Sequence, residues 1–152
     1  MTVRISRTFD VEASPAAVWA FIADPANRAN AISVVESWHR DGDEFVWNLT
    51  LPIPLIDRTV AVRTRDVERE ENERVQFVGR SRVMHVTGEH ILTSTNGTTR
   101  VENRFVVEGR LPGVERFFDR SLGDEFDNLR RALEESLEAR VGSGGRVRCS
   151  SG

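Results

Sequence analysis

The order of elements constrains this chain more than any single residue does. One alternating strand leads into a short capped helix, then into an unbroken run of strand patterns, and finally into one long amphipathic helix. Strands in an uninterrupted meander curl round whatever covers their concave face, and only the last helix is long enough to cover it. The implied class is α+β, a seven-stranded antiparallel sheet wrapped around a long C-terminal helix, with two short helices after the first strand.

Residues Thr2 to Val11 alternate, with Val3, Ile5, Phe9 and Val11 on one side and a single arginine, Arg7, among them. Ser14 followed by Pro15 opens a helix whose buried stripe is Val18, Phe21 and Ile22. Asp24-Pro25 ends it, and a second short helix is expected at about Ala26 to Ala31. Strands follow near Ser33 to Arg40 and Glu44 to Ile53, joined at Asp41-Gly42, and near Arg58 to Arg69 and Arg74 to Arg82, around the polar turn Glu70 to Glu73. The last pair, Met84 to Thr95 and Thr98 to Gly109, turns at Asn96-Gly97, the strongest short hairpin signal in the chain. Leu111-Pro112-Gly113 breaks the sheet. Val114, Phe118, Leu122, Phe126, Leu129, Leu133 and Leu137 then recur at three- and four-residue spacing down a helix expected over about Val114 to Arg140. Gly142 to Gly152 carries no apolar stripe and reads as a disordered Gly/Ser-rich tail, leaving one domain over residues 1–141.

Three stretches, VEASPAAVWAFIADPANRANAI, LPIPLIDRTV and TTRVENRFVVEGRLPGVERFFDR, resemble the START-like (SRPBCC) superfamily, which includes polyketide cyclase/dehydrase, CO-dehydrogenase-G-like and coenzyme-Q-binding types. The resemblance spans roughly Thr2 to Val141. It implies a helix-grip fold with an internal cavity; a small hydrophobic molecule such as a lipid is the expected occupant, and no cofactor is expected.

Composition narrows the function from outside. The net charge is −3 with charges of both signs interspersed, so no basic stripe suits a nucleic-acid backbone. All 21 basic side chains are arginine, which excludes a Schiff-base lysine. The lone cysteine, Cys149, sits in the Gly/Ser-rich tail, where neither a disulfide nor a positioned nucleophile is expected. With no secretory pattern at the N-terminus and no apolar run of membrane-spanning length, a cytoplasmic location is expected.

The hairpin turns let registers be counted. With Asn96-Gly97 as the two turn residues, Leu92 opposes Val101, His90 opposes Asn103, Gly88 opposes Phe105 and Val86 opposes Val107, all on the face turned to the long helix. His90 and Asn103 are then inward neighbours, either a self-satisfied structural pair or the polar anchor of an apolar pocket. A turn at Asp41-Gly42 pairs Trp38 with Phe45, Glu36 with Trp47 and Val34 with Leu49, making Glu36 the odd member of an apolar row. A carboxylate there is either a general acid or base, or an ordinary paired or solvated side chain. In the middle hairpin Thr64 is set opposite Gly79, Val62 opposite Ser81 and Asp66 opposite Phe77. Gly79 and Gly88 would leave room for ligand or simply let the sheet bend. The candidate lining is therefore His90, Asn103, Trp47, Leu49, Phe77, Gly79, Ser81, Gly88, Leu92 and Phe105 on the sheet, faced by Phe118, Leu122 and Phe126 on the helix.

His85 and His90 are five apart on one strand and face opposite sides, and no metal-ligand spacing exists, so no metal site is expected. Nucleophile-turn, phosphate-loop and dinucleotide motifs are also lacking. Antiparallel connectivity gathers Asn30 to Ser33, Pro52 to Ile56, Val83-Met84 and Leu111 to Gly113 at one end of the sheet. That greasy rim reads as a ligand portal, a transient protein or membrane contact, or a plug for the core. The leading function is binding or transport of a small hydrophobic ligand. The alternatives are a cofactor-independent cyclase or dehydratase working through His90, Asn103 and Glu36, and a membrane-associated accessory factor.

Overall fold

The computed structural model describes residues 2–52, 59–111 and 113–148, with side chains to residue 139. Strand β1 spans Thr2–Val11, helix α1 Pro15–Ile22 and helix α2 Pro25–Ala31. Strands β2 (Val35–Asp41), β3 (Glu44–Leu49), β4 (Val60–Glu70), β5 (Arg74–Arg80), β6 (Met84–Thr95) and β7 (Thr98–Gly109) follow, and helix α3 runs Val114–Arg148. All seven strands form one antiparallel sheet in the order β1-β7-β6-β5-β4-β3-β2.

Local chemistry sets each boundary. Ser14 caps α1 by accepting from the Ala17 amide, and Pro15 fills the first turn, where a missing N–H costs nothing. Asp24 does more than stop α1, because its carboxylate accepts from the Ala26 amide and caps α2, with Pro25 in the first turn. Asn96 and Gly97 both have positive φ, as a two-residue hairpin turn demands, and the β6–β7 register is the one counted from the sequence.

The other two hairpins differ instructively. The β2–β3 turn is Gly42-Asp43, with Gly42 at φ +66°, so Trp38 faces Trp47 instead of Phe45. The shift is two residues and keeps Trp38 on the inner side. A bulge between Val35 and Ser37 then reverses the parity at Glu36, which is exposed and accepts from the Thr50 hydroxyl. In β4–β5 the loop holds three residues, Glu71 to Glu73, rather than two, and a bulge between Asp66 and Glu68 absorbs the extra one. Thr64 consequently still opposes Gly79, and Asp66 still opposes Phe77.

Helix α3 packs chiefly on β1, β7, α1 and α2. Its buried stripe, Val114 to Leu133, is the expected one, but its backbone is helical to Arg148, past the Arg140 end predicted. The stripe marks where a helix packs, while backbone hydrogen bonding propagates beyond it. The core divides in two. Phe9, Val11, Val18, Phe21, Ile22, Val75, Leu92, Val101, Leu129 and Leu133 fill the α1 end, and a larger aromatic cluster fills the other.

Candidate functional site

The larger cluster is built around a row of rings contributed by alternate strands. Trp47 on β3 tilts against Phe77 on β5 at 5.5 Å, Phe77 meets Phe105 on β7 edge-on at 5.7 Å, and Phe105 meets Phe126 on α3 edge-on at 5.2 Å. Such contacts add about 0.5–1.5 kcal/mol each beyond burial. Between this row and α3 lies a cavity of about 40 Å³, lined also by Ile32, Val34, Leu49, Met84, Val86, Val107, Phe118, Leu122 and Leu129. That volume has room for about three water molecules.

Polar groups reach the cavity from three directions. His90, 1 % exposed, lies with Nδ1 2.8 Å from Oδ1 of Asn103. The Asn103 amide donates to the carbonyls of Arg7 and Val101, which fixes its oxygen toward His90. Nδ1 is therefore the protonated nitrogen, and Nε2 is left as an acceptor. Burial drives the His90 pKa down from 6.5 to about 4, the Arg28 charge pushes it the same way, and the Asn103 bond opposes both.

Arg28 on α2 is 4 % exposed, and its Nη2 donates to Asp66 Oδ1 at 2.6 Å. Its guanidinium lies 5.2 Å from the centre of the Phe77 ring. Desolvation pulls its pKa down while Asp66 holds it up. Nε and Nη1 are buried without a hydrogen-bond partner, as is Nε1 of Trp47. Leaving a buried donor unmade costs about 1–3 kcal/mol, and more for a charged one. Glu125 on α3, 6 % exposed, accepts from the Ser33 amide at 2.9 Å, from the Ser33 hydroxyl at 2.8 Å and from Asn128 at 3.0 Å. It ties the α2–β2 connection to the helix.

Asp66 turns away from the cavity into a second hollow of about 360 Å³, lined by Pro25, Arg40, Asp43, Phe45, Thr64, Arg65 and Arg69. Its other carboxylate oxygen accepts from Arg69 at 2.6 Å. This groove is the larger, but half of its lining residues are exposed and charged, Arg40, Asp43, Arg65 and Arg69. The smaller, apolar cavity, with its desolvated donors, is the stronger candidate site.

Of the residues anticipated from the sequence, Trp47, Leu49, Phe77, His90, Phe105, Phe118, Leu122 and Phe126 line the cavity. Asn103 stands behind His90 as its partner. Four others fall elsewhere. Leu92 belongs to the α1 end of the core. Ser81 sits in the β5–β6 turn, where its hydroxyl accepts from the amides of Val83 and Met84. The space above Gly79 is taken by Val86, 2.7 Å from where a Cβ would stand, and that above Gly88 by the Phe77 ring, so neither glycine leaves room for ligand. Glu36, exposed on its bulge, is removed from the cavity as well. Sequence reasoning does not single out Arg28 or Glu125. The only sequence signal is a charged residue at a position where the helix pattern calls for burial, and for Glu125 that means a neighbour of Phe126.

Val83 and Met84 of the greasy rim are buried in the core cluster, and Leu111 packs partly buried against it. Residues 53–56 of that rim lie outside the described residues. Among the described residues no group of three or more His, Cys, Asp or Glu is placed to hold a metal ion, and no helix is long and apolar enough to cross a membrane.

The same architecture occurs in a conserved protein from Geobacillus kaustophilus (TM-score 0.72, 13 % identity, covering 91 % of this chain and 97 % of that one). It also occurs in a START superfamily protein from Mycobacterium smegmatis (TM-score 0.68, 15 % identity, 90 % and 97 % covered). A third example is the Zhui aromatase/cyclase from Streptomyces sp. R1128 (TM-score 0.69, 14 % identity, 93 % and 96 % covered). At these identities the likeness is one of fold. No curated protein matches the sequence. The family model for polyketide cyclase/dehydrase and lipid transport matches residues 2–134, and the chain belongs to that family.

Proposed function

We propose that the protein binds a small, largely apolar molecule between α3 and the concave face of the sheet. The observation that carries this reading is the aromatic and aliphatic wall, with Phe118, Leu122 and Phe126 opposite Trp47, Phe77 and Phe105. Pockets for small molecules generally measure about 300–1,000 Å³, so a cavity of about 40 Å³ has to widen on binding. The Glu125–Ser33 contacts hold the α2–β2 connection to α3, and that junction is the natural place for the wall to part.

A cyclase-type reaction is the second reading, supported by the bare Nε2 of His90 in the cavity wall. Its acidity weighs against it. A group with a pKa of about 4 is protonated in about one molecule in a thousand at neutral pH, which makes it a poor general acid and a weak base. Carriage is the better fit.

Mass spectrometry of the protein under native conditions, followed by extraction and identification of what it retains, tests the proposal. A retained apolar molecule is expected, and it should be lost in Leu122→Trp, which fills the cavity. Retention undiminished in that variant would place the ligand elsewhere, and failure of both purified protein and added apolar ligands to bind would end the reading.

A further inference from the structure

Resting on that cavity reading, a further inference concerns the polar end of the ligand. The cavity wall is unbalanced in its hydrogen bonding. Arg28 Nε, Arg28 Nη1 and Trp47 Nε1 are all donors, all buried and all without a partner, on two residues that line the cavity. Against these three donors stands one free acceptor, Nε2 of His90, and the carboxylates nearby are committed. Asp66 is shared between Arg28 and Arg69, and both oxygens of Glu125 are engaged by Ser33, with Asn128 on one of them.

The ion pairing is uneven as well: Asp66 alone serves the two guanidinium groups of Arg28 and Arg69, while Glu125, the other carboxylate of the wall, is held by Ser33 and Asn128 instead of by an arginine. Arg69 is half-exposed and donates also to the Ala23 carbonyl, so water and backbone serve it. Arg28 has no such outlet, with a side chain only 5 % exposed. Water in the cavity would satisfy part of this deficit but would not supply the charged partner that Arg28 lacks on its free N–H groups.

We infer that the cavity selects an apolar carboxylate, its hydrocarbon or aryl body against the ring row and its carboxylate on the free N–H groups of Arg28. Desolvated guanidinium–carboxylate contacts are short, charge-assisted and strong, and the Arg28–Asp66–Arg69 arrangement holds the guanidinium in place before the ligand arrives.

Matched pairs test this: decanoate against decanol, and naphthoate against naphthalenemethanol, titrated by calorimetry at neutral pH on the full chain. The acids should bind about tenfold or more tightly than the alcohols. Arg28→Met should weaken acid binding far more than alcohol binding and so abolish that preference, and its melting curve shows whether it folds. Asp66→Asn, which keeps Arg28 and removes its competing anion, should widen the preference and serves if Arg28→Met is unstable. Equal binding of acid and alcohol by the native chain, or a preference that survives Arg28→Met or does not widen in Asp66→Asn, would overturn the carboxylate assignment and leave the cavity reading standing. Binding of neither acid nor alcohol would overturn the cavity reading, and this inference with it.

Discussion

Nδ1 of His90 and Oδ1 of Asn103 lie 2.8 Å apart across the β6–β7 ladder, and the Asn103 amide is turned the other way, onto the carbonyls of Arg7 and Val101. That arrangement accommodates a neutral imidazole and has no acceptor to offer a second ring proton. Protonation of His90 therefore opposes folding.

In the unfolded chain His90 takes up a proton near pH 6.5, whereas in the folded protein it does so only near pH 4. Between those values the unfolded state binds more protons, so stability falls as pH falls, by about 3 kcal/mol over the full window at most. Above pH 6.5 the stabilisation is complete, and below pH 4 no more is lost to this group. Denaturant titrations of native protein and His90→Leu across that window should show a shallower pH slope in the variant. Identical slopes would mean that His90 titrates normally.

The two partners of this pair should differ in worth. His90→Leu leaves one acceptor, Asn103 Oδ1, unmatched and should cost about 1–3 kcal/mol. Asn103→Leu strands the His90 Nδ1–H donor and also withdraws the hydrogen bonds to Arg7 and Val101, so its loss of stability should be the greater. A reversed order in urea midpoints would show that the Asn103 amide contributes little.

Strong local signals made most of the fold legible. Asn96-Gly97 admits one tight turn, and every inward residue of β6 and β7 follows from it. Ser14-Pro15 and the α3 stripe are equally local. What failed depended on bulges and tertiary burial. A one-residue insertion at Glu36 re-aims a side chain without altering the alternation around it, and the β4–β5 register came out right only because its loop and its bulge compensate. Arg28 sits on a seven-residue helix with no apolar stripe, and its burial is created by Asp66, distant in sequence. In a chain whose every basic residue is arginine, nothing local set it apart from the solvated ones.

The last eleven residues should be dispensable. The apolar stripe of α3 ends at Leu137, which packs partly buried against the α1 end of the core, and Gly142 to Gly152 offers nothing comparable to dock. A chain ending at Val141 should melt within about one degree of the full chain. A fall of several degrees would show that these residues pack.

Gly88 offers the sharpest test of the ring row. Its Cα lies directly under Phe77, and a Cβ there would stand inside the ring's van der Waals envelope, against Cε1 and Cζ. The ring is 1 % exposed and held between Trp47 and Phe105, so it can yield only toward the small cavity it lines. Gly88→Ala should therefore destabilise by about 1–3 kcal/mol, the usual range for overpacking a filled core. Gly97→Ala meets no atom within 4 Å, so its cost arises instead from φ +84° and should not depend on Phe77. Combining each with Phe77→Leu separates the two causes. Smaller and more flexible, leucine should recover part of the Gly88→Ala loss and none of the Gly97→Ala loss, a non-additivity of about 1 kcal/mol confined to the first pair. Strict additivity in both pairs would mean that the ring does not rest on Gly88.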